Sequence, residues 1–96
     1  MPNVFQLIDR RTNKPENFAF IDQKICSLLK VPSDPRLYYL GWYDLIGLPA
    51  AHGKNWDQIE EGLGLTNDEE DEWSKDYRVI LKYLRENFDI RAWYER

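Results

Sequence analysis

Two side chains of this sequence could act together as a nucleophile and its base, and each type occurs only once. Cys26 is the only cysteine and His52 is the only histidine. Such a pair needs both groups within hydrogen-bond distance, with the thiol in an electropositive and partly exposed setting. Cys26 stands instead among apolar residues, Ile25, Leu28 and Leu29, which favours a buried thiol. A small thiol-dependent enzyme is therefore kept only as an alternative, and the sequence predicts no catalytic residue, metal site or cofactor.

A run of five carboxylates is the densest charged feature of the chain. It consists of Asp68, Glu69, Glu70, Asp71 and Glu72. If the run opens a helix, its charges interact favourably with the helix dipole, and the cations of the same helix suit its other end. The alternative is a negative patch that docks on a basic partner, because such fields steer encounter and select among partners. The sequence leaves both interpretations open.

Aromatic residues are abundant, with 4 Trp, 6 Tyr and 4 Phe in 96 residues. Two pairs spaced four residues apart, Tyr38 with Trp42 and Tyr39 with Tyr43, would lie on adjacent faces of one helix. A domain this small leaves about 40% of its chain surface exposed, so some of these rings are expected at the surface, where Tyr and Trp often anchor interfaces. Tyr83 falls outside the main apolar stripe of its own helix. These five aromatics and the acidic run are the predicted partner-binding residues.

The elements that must position these side chains begin with a strand. Residues 4–9 are short and rich in β-favouring types, and residues 10–15 supply a turn. Apolar residues at helical spacing then predict a first helix over residues 18–30. At the other end of the chain, residues 90–95 alternate as a short strand that would lie beside the first one.

A second helix is expected to carry the four clustered aromatics. Ser33, Asp34 and Pro35 form a typical helix start, because a capping side chain directly precedes a proline whose missing N–H costs nothing at the first helical position. The helix should run to about Gly47, and Pro49 should end or kink it.

Two capping boxes predict the third and fourth helices. Residues 55–58 open a short helix that ends at Gly62 or Gly64. Residues 66–69 have the Thr-x-x-Glu form and precede the longest amphipathic pattern, which predicts a helix over residues 67–87. The expected fold is a small single domain, residues 1–96, of class α+β and predominantly α, with about four helices and a two-stranded β element joining the termini.

A nucleic-acid-binding regulator is an alternative function. The third and fourth helices resemble a degenerate helix-turn-helix, and basic residues occur in the first turn and along the last helix: Arg10, Arg11, Lys14, Arg78, Lys82 and Arg85. The charges oppose this interpretation. Residues 55–96 hold 12 acidic and 6 basic side chains against 5 and 7 in residues 1–54, so the net charge of −4 divides into −6 and +2. Carboxylates at the start of a recognition helix would repel phosphates, so nucleic acid is not the expected partner.

The location is expected to be cytoplasmic. A single cysteine allows no intramolecular disulfide, which fits a reducing compartment. Charges at Asp9, Arg10 and Arg11 come before any apolar run long enough for a signal peptide, and no stretch approaches the roughly 20 apolar residues of a membrane span. We therefore expect no contact with a membrane.

Residues 8–31 (IDRRTNKPENFAFIDQKICSLLKV) and 34–47 (DPRLYYLGWYDLIG) resemble small open reading frames of bacteriophages and prophages. The shared motifs are Ile-Asp-x-x-Ile-Cys at 21–26 and Gly-Trp-Tyr-Asp at 41–44. The resemblance implies a bacterial or phage setting, in which short acidic proteins often inhibit or redirect host machinery, and it implies no activity. The absence of a catalytic set, the surplus of aromatics and the segregated negative charge lead us to expect a non-enzymatic protein-binding module. In the setting that the resemblance implies, it would be an inhibitor or adaptor of a host protein. A second copy of the chain is a further candidate partner.

Overall fold

The computed structural model describes residues 2–34 and 36–95, and in them the chain has the predicted α+β fold. The strands are β1 (Val4–Asp9), β2 (Lys14–Pro15) and β3 (Phe88–Trp93), and the helices are α1 (Phe18–Leu29), α2 (Trp42–Ala51), α3 (Trp56–Leu63) and α4 (Glu72–Asn87). A short 3-10 turn, Tyr39–Gly41, directly precedes α2. The described residues thus contain the expected four helices, but three strands where the sequence predicted two.

The sheet is antiparallel, in the order β2-β1-β3. The predicted pairing of the two terminal strands is confirmed, with Val4 opposite Trp93 and Asp9 opposite Phe88. β3 begins two residues earlier than expected because the chain passes directly from the end of α4 into extended backbone at Phe88. The third strand, β2, lies at the end of the predicted turn and pairs with the last two residues of β1.

The core lies between the helices and one face of the sheet. Phe5 and Leu7 of β1 point toward it, together with Phe88 of β3. Tyr77 of α4 and Trp42 of α2 are its largest fully buried side chains. None of the helices in the described ranges combines the length and apolar character needed to cross a bilayer.

The second helix does not begin where the sequence predicted. Asp34 closes a turn, accepting the backbone N–H of Arg36 at 2.9 Å through its side chain and that of Leu37 at 3.1 Å through its carbonyl oxygen. Pro35, the predicted first helical residue, lies outside the described residues. Leu40 (φ 57°) and Gly41 (φ 65°) then adopt left-handed backbone, which a right-handed helix cannot include. The helix therefore starts only at Trp42.

The same helix continues past its predicted end. It runs through Pro49 to Ala51 instead of stopping near Gly47. Pro49 falls in the last turn, where its carbonyl oxygen still accepts the N–H groups of His52 and Lys54. Its missing N–H costs one helical bond, and the burial of Ala50 and Ala51 in the core offsets that loss.

The first and third helices follow the sequence closely. Asn17 caps α1 by accepting the backbone N–H of Ala19 at 2.8 Å, and Lys30 ends the helix in a left-handed conformation. Asn55 and Gln58 form the predicted reciprocal capping box of α3, and Gly64 follows as its left-handed C-cap. In both helices short-range side-chain chemistry decides the ends.

The fourth helix begins five residues later than predicted. Thr66 does not cap it; its hydroxyl donates to the Asp71 side chain at 2.8 Å. Asp71 is the N-cap, accepting the backbone N–H of Ser74 at 3.1 Å. Aspartate is at least as good a cap as threonine, so the later start loses no capping energy.

Candidate functional site

A buried carboxylate organises the segment that carries most of the predicted aromatic anchors. Asp22 of α1 is 1% exposed. Its Oδ1 accepts two N–H groups at 2.9 Å each, one from the backbone of Tyr39 and one from the indole of Trp42. Loss of this acceptor would leave N–H groups unpaired where water has little access, which is costly. Asp22 therefore fixes residues 39–42 against α1.

Five aromatic rings form one cluster, and one of them, Trp42, is the ring that Asp22 bonds. They belong to Phe5, Phe18, Tyr38, Trp42 and Tyr43. Tyr38 stacks on Trp42 with ring centroids 5.4 Å apart, and Tyr43 meets Phe18 edge-on at 5.1 Å. Such contacts each add about 0.5–1.5 kcal/mol beyond simple burial. The cluster therefore holds its outer rings in defined orientations.

Trp42 is a core residue, and its prediction as a partner-binding anchor is wrong. The side chain is 0% exposed, and its N–H is already bonded to Asp22. An anchor must contact the partner directly, which a fully buried ring cannot do. The left-handed turn before α2 points Trp42 inward. By contrast Tyr38 and Tyr39 are half-buried and Tyr43 is 36% exposed, which confirms that some of the four rings reach the surface.

A recess opens beside the outer rings. Its lining residues are Arg36, Leu37, Tyr38, Gly41, Tyr43 and Asp44, and its volume is about 290 Å³. Leu37 is 72% exposed, the highest value among the large apolar side chains of the described residues. We call Leu37, Tyr38, Tyr43 and Asp44 the aromatic surface. It combines apolar area, two phenol hydroxyls and a carboxylate, which is a common composition for a protein interface.

Two hydrogen bonds join this region to the first turns of α4. The Tyr77 hydroxyl donates to the Leu40 carbonyl oxygen at 2.7 Å, and the Tyr39 hydroxyl donates to Asp76 at 3.3 Å. Burial, and then the charge of Asp76, raises the pKa of Tyr39. Burial also raises the pKa of Tyr77, with a smaller contribution from the charge of Asp44. Both phenols therefore stay protonated and remain donors at neutral pH.

The acidic run, which we call the acidic segment (residues 68–72), lies mostly ahead of α4. Only Glu72 occupies the first turn of the helix, and Asp71 is its cap. Hydrogen bonds, above all the one from the Ser74 backbone, hold the pKa of Asp71 below its ordinary value. The dipole interpretation therefore fits the last two carboxylates and does not account for Asp68, Glu69 and Glu70, which are exposed and precede the helix.

The acidic segment is linked to the segment that carries the aromatic surface through α4. Its last residue, Glu72, is one helical turn before Asp76, which bonds Tyr39. Trp73, 38% exposed, packs on Tyr77 with ring centroids 4.6 Å apart. The acidic segment is therefore connected through α4 to Tyr39, the chain neighbour of Tyr38 in the aromatic surface.

Tyr83 belongs to a different surface. It lies two helical turns beyond Asp76 along α4, about 10 Å away. Its ring packs edge-on against Phe88 at 5.8 Å, and burial is the main cause that raises its pKa. Together with Leu28 and Val79 it lines a separate groove of about 260 Å³. The predicted binding residues therefore do not form one continuous patch.

Cys26 and His52 are placed differently from a nucleophile and its base. Cys26 is buried, and its Sγ lies 3.8 Å from Asp22 Oδ2. Burial, and then the neighbouring carboxylate, raises the pKa of the thiol, which keeps it in the less reactive protonated form. His52 is exposed at the end of α2. Across residues 2–34 and 36–95, no three His, Cys, Asp or Glu side chains cluster as metal ligands would.

Two important residues of this region were missed by sequence reasoning. Asp22 falls on the apolar face of α1, three residues before Ile25 and one after Ile21, and a carboxylate in that position is a signal of a buried acceptor. The sequence pattern places Leu37 in the predicted second helix, where an apolar residue is expected to be buried. Its exposure follows from the turn that replaces the start of that helix.

No protein-family model, curated protein or solved structure matches the chain.

Proposed function

We propose that this protein is a non-catalytic binding module for another protein, acting as a phage- or prophage-derived inhibitor or adaptor. The aromatic surface and the acidic segment are its contact residues. The observation that carries the proposal is Leu37, 72% exposed, which lines one recess with Tyr43 and lies two residues before the segment that buried Asp22 holds in place. A surface that is already ordered loses little conformational entropy on binding, so its apolar area converts efficiently into affinity.

The chemistry of the surface defines the partner. Leu37 and Tyr43 fit an apolar depression, and the three carboxylates ahead of α4 fit basic side chains around it. Because exposed charges act mainly on the association rate, the complex should form faster at low salt.

Four of the six cations on which the nucleic-acid alternative depends, Arg10, Arg11, Arg78 and Arg85, already have partners among the described residues, which opposes that alternative. Arg85 pairs with Asp57 at 2.6 Å and with Glu60 at 3.3 Å. Arg10 pairs with Asp89 at 3.1 Å, and the Arg78 guanidinium bonds the Thr66 carbonyl oxygen. Side chains held in this way would have to give up these partners to neutralise phosphates.

The test is affinity capture from the bacterial host, compared between matched variants. The amount of partner captured by a double variant, Leu37→Ala with Tyr43→Ala, should be about tenfold lower than with wild type, or lower still. The control is Leu48→Ala, which removes another exposed leucine, 57% exposed, from α2. Circular dichroism should be unchanged in both.

The acidic segment is tested in the same assay. Asp68→Asn with Glu70→Gln should slow capture at low salt, whereas Glu61→Gln with Glu86→Gln, which neutralises two exposed carboxylates elsewhere, should not. Capture of the same proteins in the same amounts by all variants would overturn the proposal.

A further inference from the structure

One edge of the sheet carries backbone groups that point away from the protein. Within the part of the chain that the structure describes, β3 pairs only with β1. The Arg10 N–H donates to the Asn87 carbonyl oxygen at 3.0 Å. Arg10 and Asn87 are therefore a hydrogen-bonded residue pair, at the end of the ladder between β1 and β3. Bonded and non-bonded pairs alternate along an antiparallel ladder. The peptide groups of Asp89, Arg91 and Trp93 therefore face β1, whereas those of Ile90 and Ala92 face outward.

These outward groups have no partner within residues 2–34 and 36–95. No hydrogen bond of that part of the chain reaches the N–H or C=O of Ile90 or Ala92. The neighbouring outward carbonyl, that of Phe88, is covered, because the Trp56 indole donates to it at 3.1 Å. The edge is thus closed at Phe88 and open over the next four residues.

A groove runs beside the open part of the edge. Its volume is about 610 Å³, the largest of the concavities described in this structure. Asp89, Ile90 and Ala92 line one side, and residues 53–56 and Pro2 line the rest. Neighbouring strands lie about 4.8 Å apart, so a chain bonded to this edge would occupy the groove.

We propose that β3 binds an extended peptide segment of a partner protein as a fourth strand of the sheet. Two donors and two acceptors in alternating register match the backbone of an extended chain, and side-chain pockets are not required for that part of the affinity. This site is separate from the aromatic surface and does not depend on it.

The charges of the groove favour an acidic peptide. Lys54 lines it and forms no ion pair with the described residues, whereas Asp89 is already paired with Arg10 at 3.1 Å. A carboxylate on the peptide would therefore meet an unopposed cation. A second copy of the chain is the alternative occupant, and a dimer formed through this edge is one outcome of the test below.

Amide hydrogen exchange tests the edge in the free protein. The Ile90 and Ala92 amides should exchange quickly, because they face away from β1. The Arg91 and Trp93 amides should exchange slowly, because they face β1 and donate to it. Equal protection of all four amides would contradict the assigned register and with it the proposal.

Binding is tested with a displayed library of random octapeptides. We expect enrichment of acidic, β-favouring sequences, and slowing of exchange at Ile90 and Ala92 by about tenfold or more with a selected peptide bound. Ala92→Pro removes one outward N–H without touching the β1 ladder and should weaken the selected peptide by about tenfold, whereas Ala92→Gly, which keeps the N–H, should not.

Two further measurements keep the outcome decisive. If Ala92→Pro fails to fold, Lys54→Glu serves instead and should abolish the preference for acidic peptides. Failure to enrich any peptide, equal binding to Ala92→Pro, or a dimer of this chain that Ala92→Pro dissolves would each overturn the proposal. Leu37→Ala with Tyr43→Ala should leave peptide binding unchanged, which separates this site from the proposed function.

Discussion

The carboxylate of Asp22 and the indole of Trp42 lie 2.9 Å apart, Oδ1 to Nε1, in a position that solvent barely reaches. The same oxygen accepts the Tyr39 backbone N–H. One residue of α1 therefore sets where the next helix begins and which way its first ring points. The aromatic surface owes its position to this contact.

Replacement of Asp22 tests that role. Asp22→Ala leaves two buried N–H groups without an acceptor and should lower the free energy of unfolding by about 2–4 kcal/mol in urea titrations. Asp22→Asn retains an acceptor oxygen and should cost less, about 1 kcal/mol. Asp44→Ala, at an exposed carboxylate, is the control and should stay within about 0.5 kcal/mol of wild type. A loss below 1 kcal/mol in Asp22→Ala would show that the segment is held by other contacts.

Gly47 is required by the close approach of Phe5. A Cβ atom at Gly47 would lie 2.8 Å from Phe5 Cζ, so Gly47→Ala should destabilise the protein by about 1–3 kcal/mol despite the better helix propensity of alanine. Gly62→Ala is the matched control, since its Cβ meets nothing within 4 Å, and it should stabilise by about 0.5–1 kcal/mol. Thermal unfolding of both variants measures the difference. Equal effects at the two positions would contradict this packing.

The Cys26 thiol should be nearly unreactive in the folded protein. Its pKa is raised, so it stays protonated at pH 8, and burial also blocks access. Mass spectrometry should show slow alkylation by iodoacetamide until urea is added. A Cys26→Ser, Ser27→Cys variant moves the thiol to the adjacent exposed position and should react at once. Fast alkylation of the wild-type protein would favour the thiol-enzyme alternative.

Asp71 should make part of the stability depend on pH. Its pKa is lowered in the folded state, chiefly by the Ser74 N–H, so its ionised form stabilises the fold above the ordinary carboxyl pKa of about 3.9. That contribution should disappear as the pH falls through the lowered folded value. Urea midpoints of wild type and Asp71→Asn should therefore differ at pH 6, and the difference should shrink as the pH falls below the ordinary carboxyl pKa of about 3.9. Glu61→Gln is the control, and a difference independent of pH would argue against Asp71.

Local patterns determined α1, α3 and the pairing of β1 with β3. In each case the decisive interactions involve residues close in sequence or a simple alternation of apolar and polar side chains: the Asn17 cap, the Asn55–Gln58 box and the apolar face of β1. Such signals survive without knowledge of the rest of the chain. The acidic, aromatic-rich character of the chain is likewise a property of the sequence.

Tertiary contacts decided the rest. A good helix start near Asp34 gave way to a turn and a left-handed pair, because Asp22 captures Tyr39 and Trp42 while Tyr77 holds Leu40 from the other side. These bonds join residues 17 to 37 positions apart, so patterns within a single helix or turn do not reveal them. They accompany a buried Trp42 and an exposed Leu37. The sequence by itself thus established which side chains were available, and long-range hydrogen bonding in the buried interior selected the ones that reach the surface.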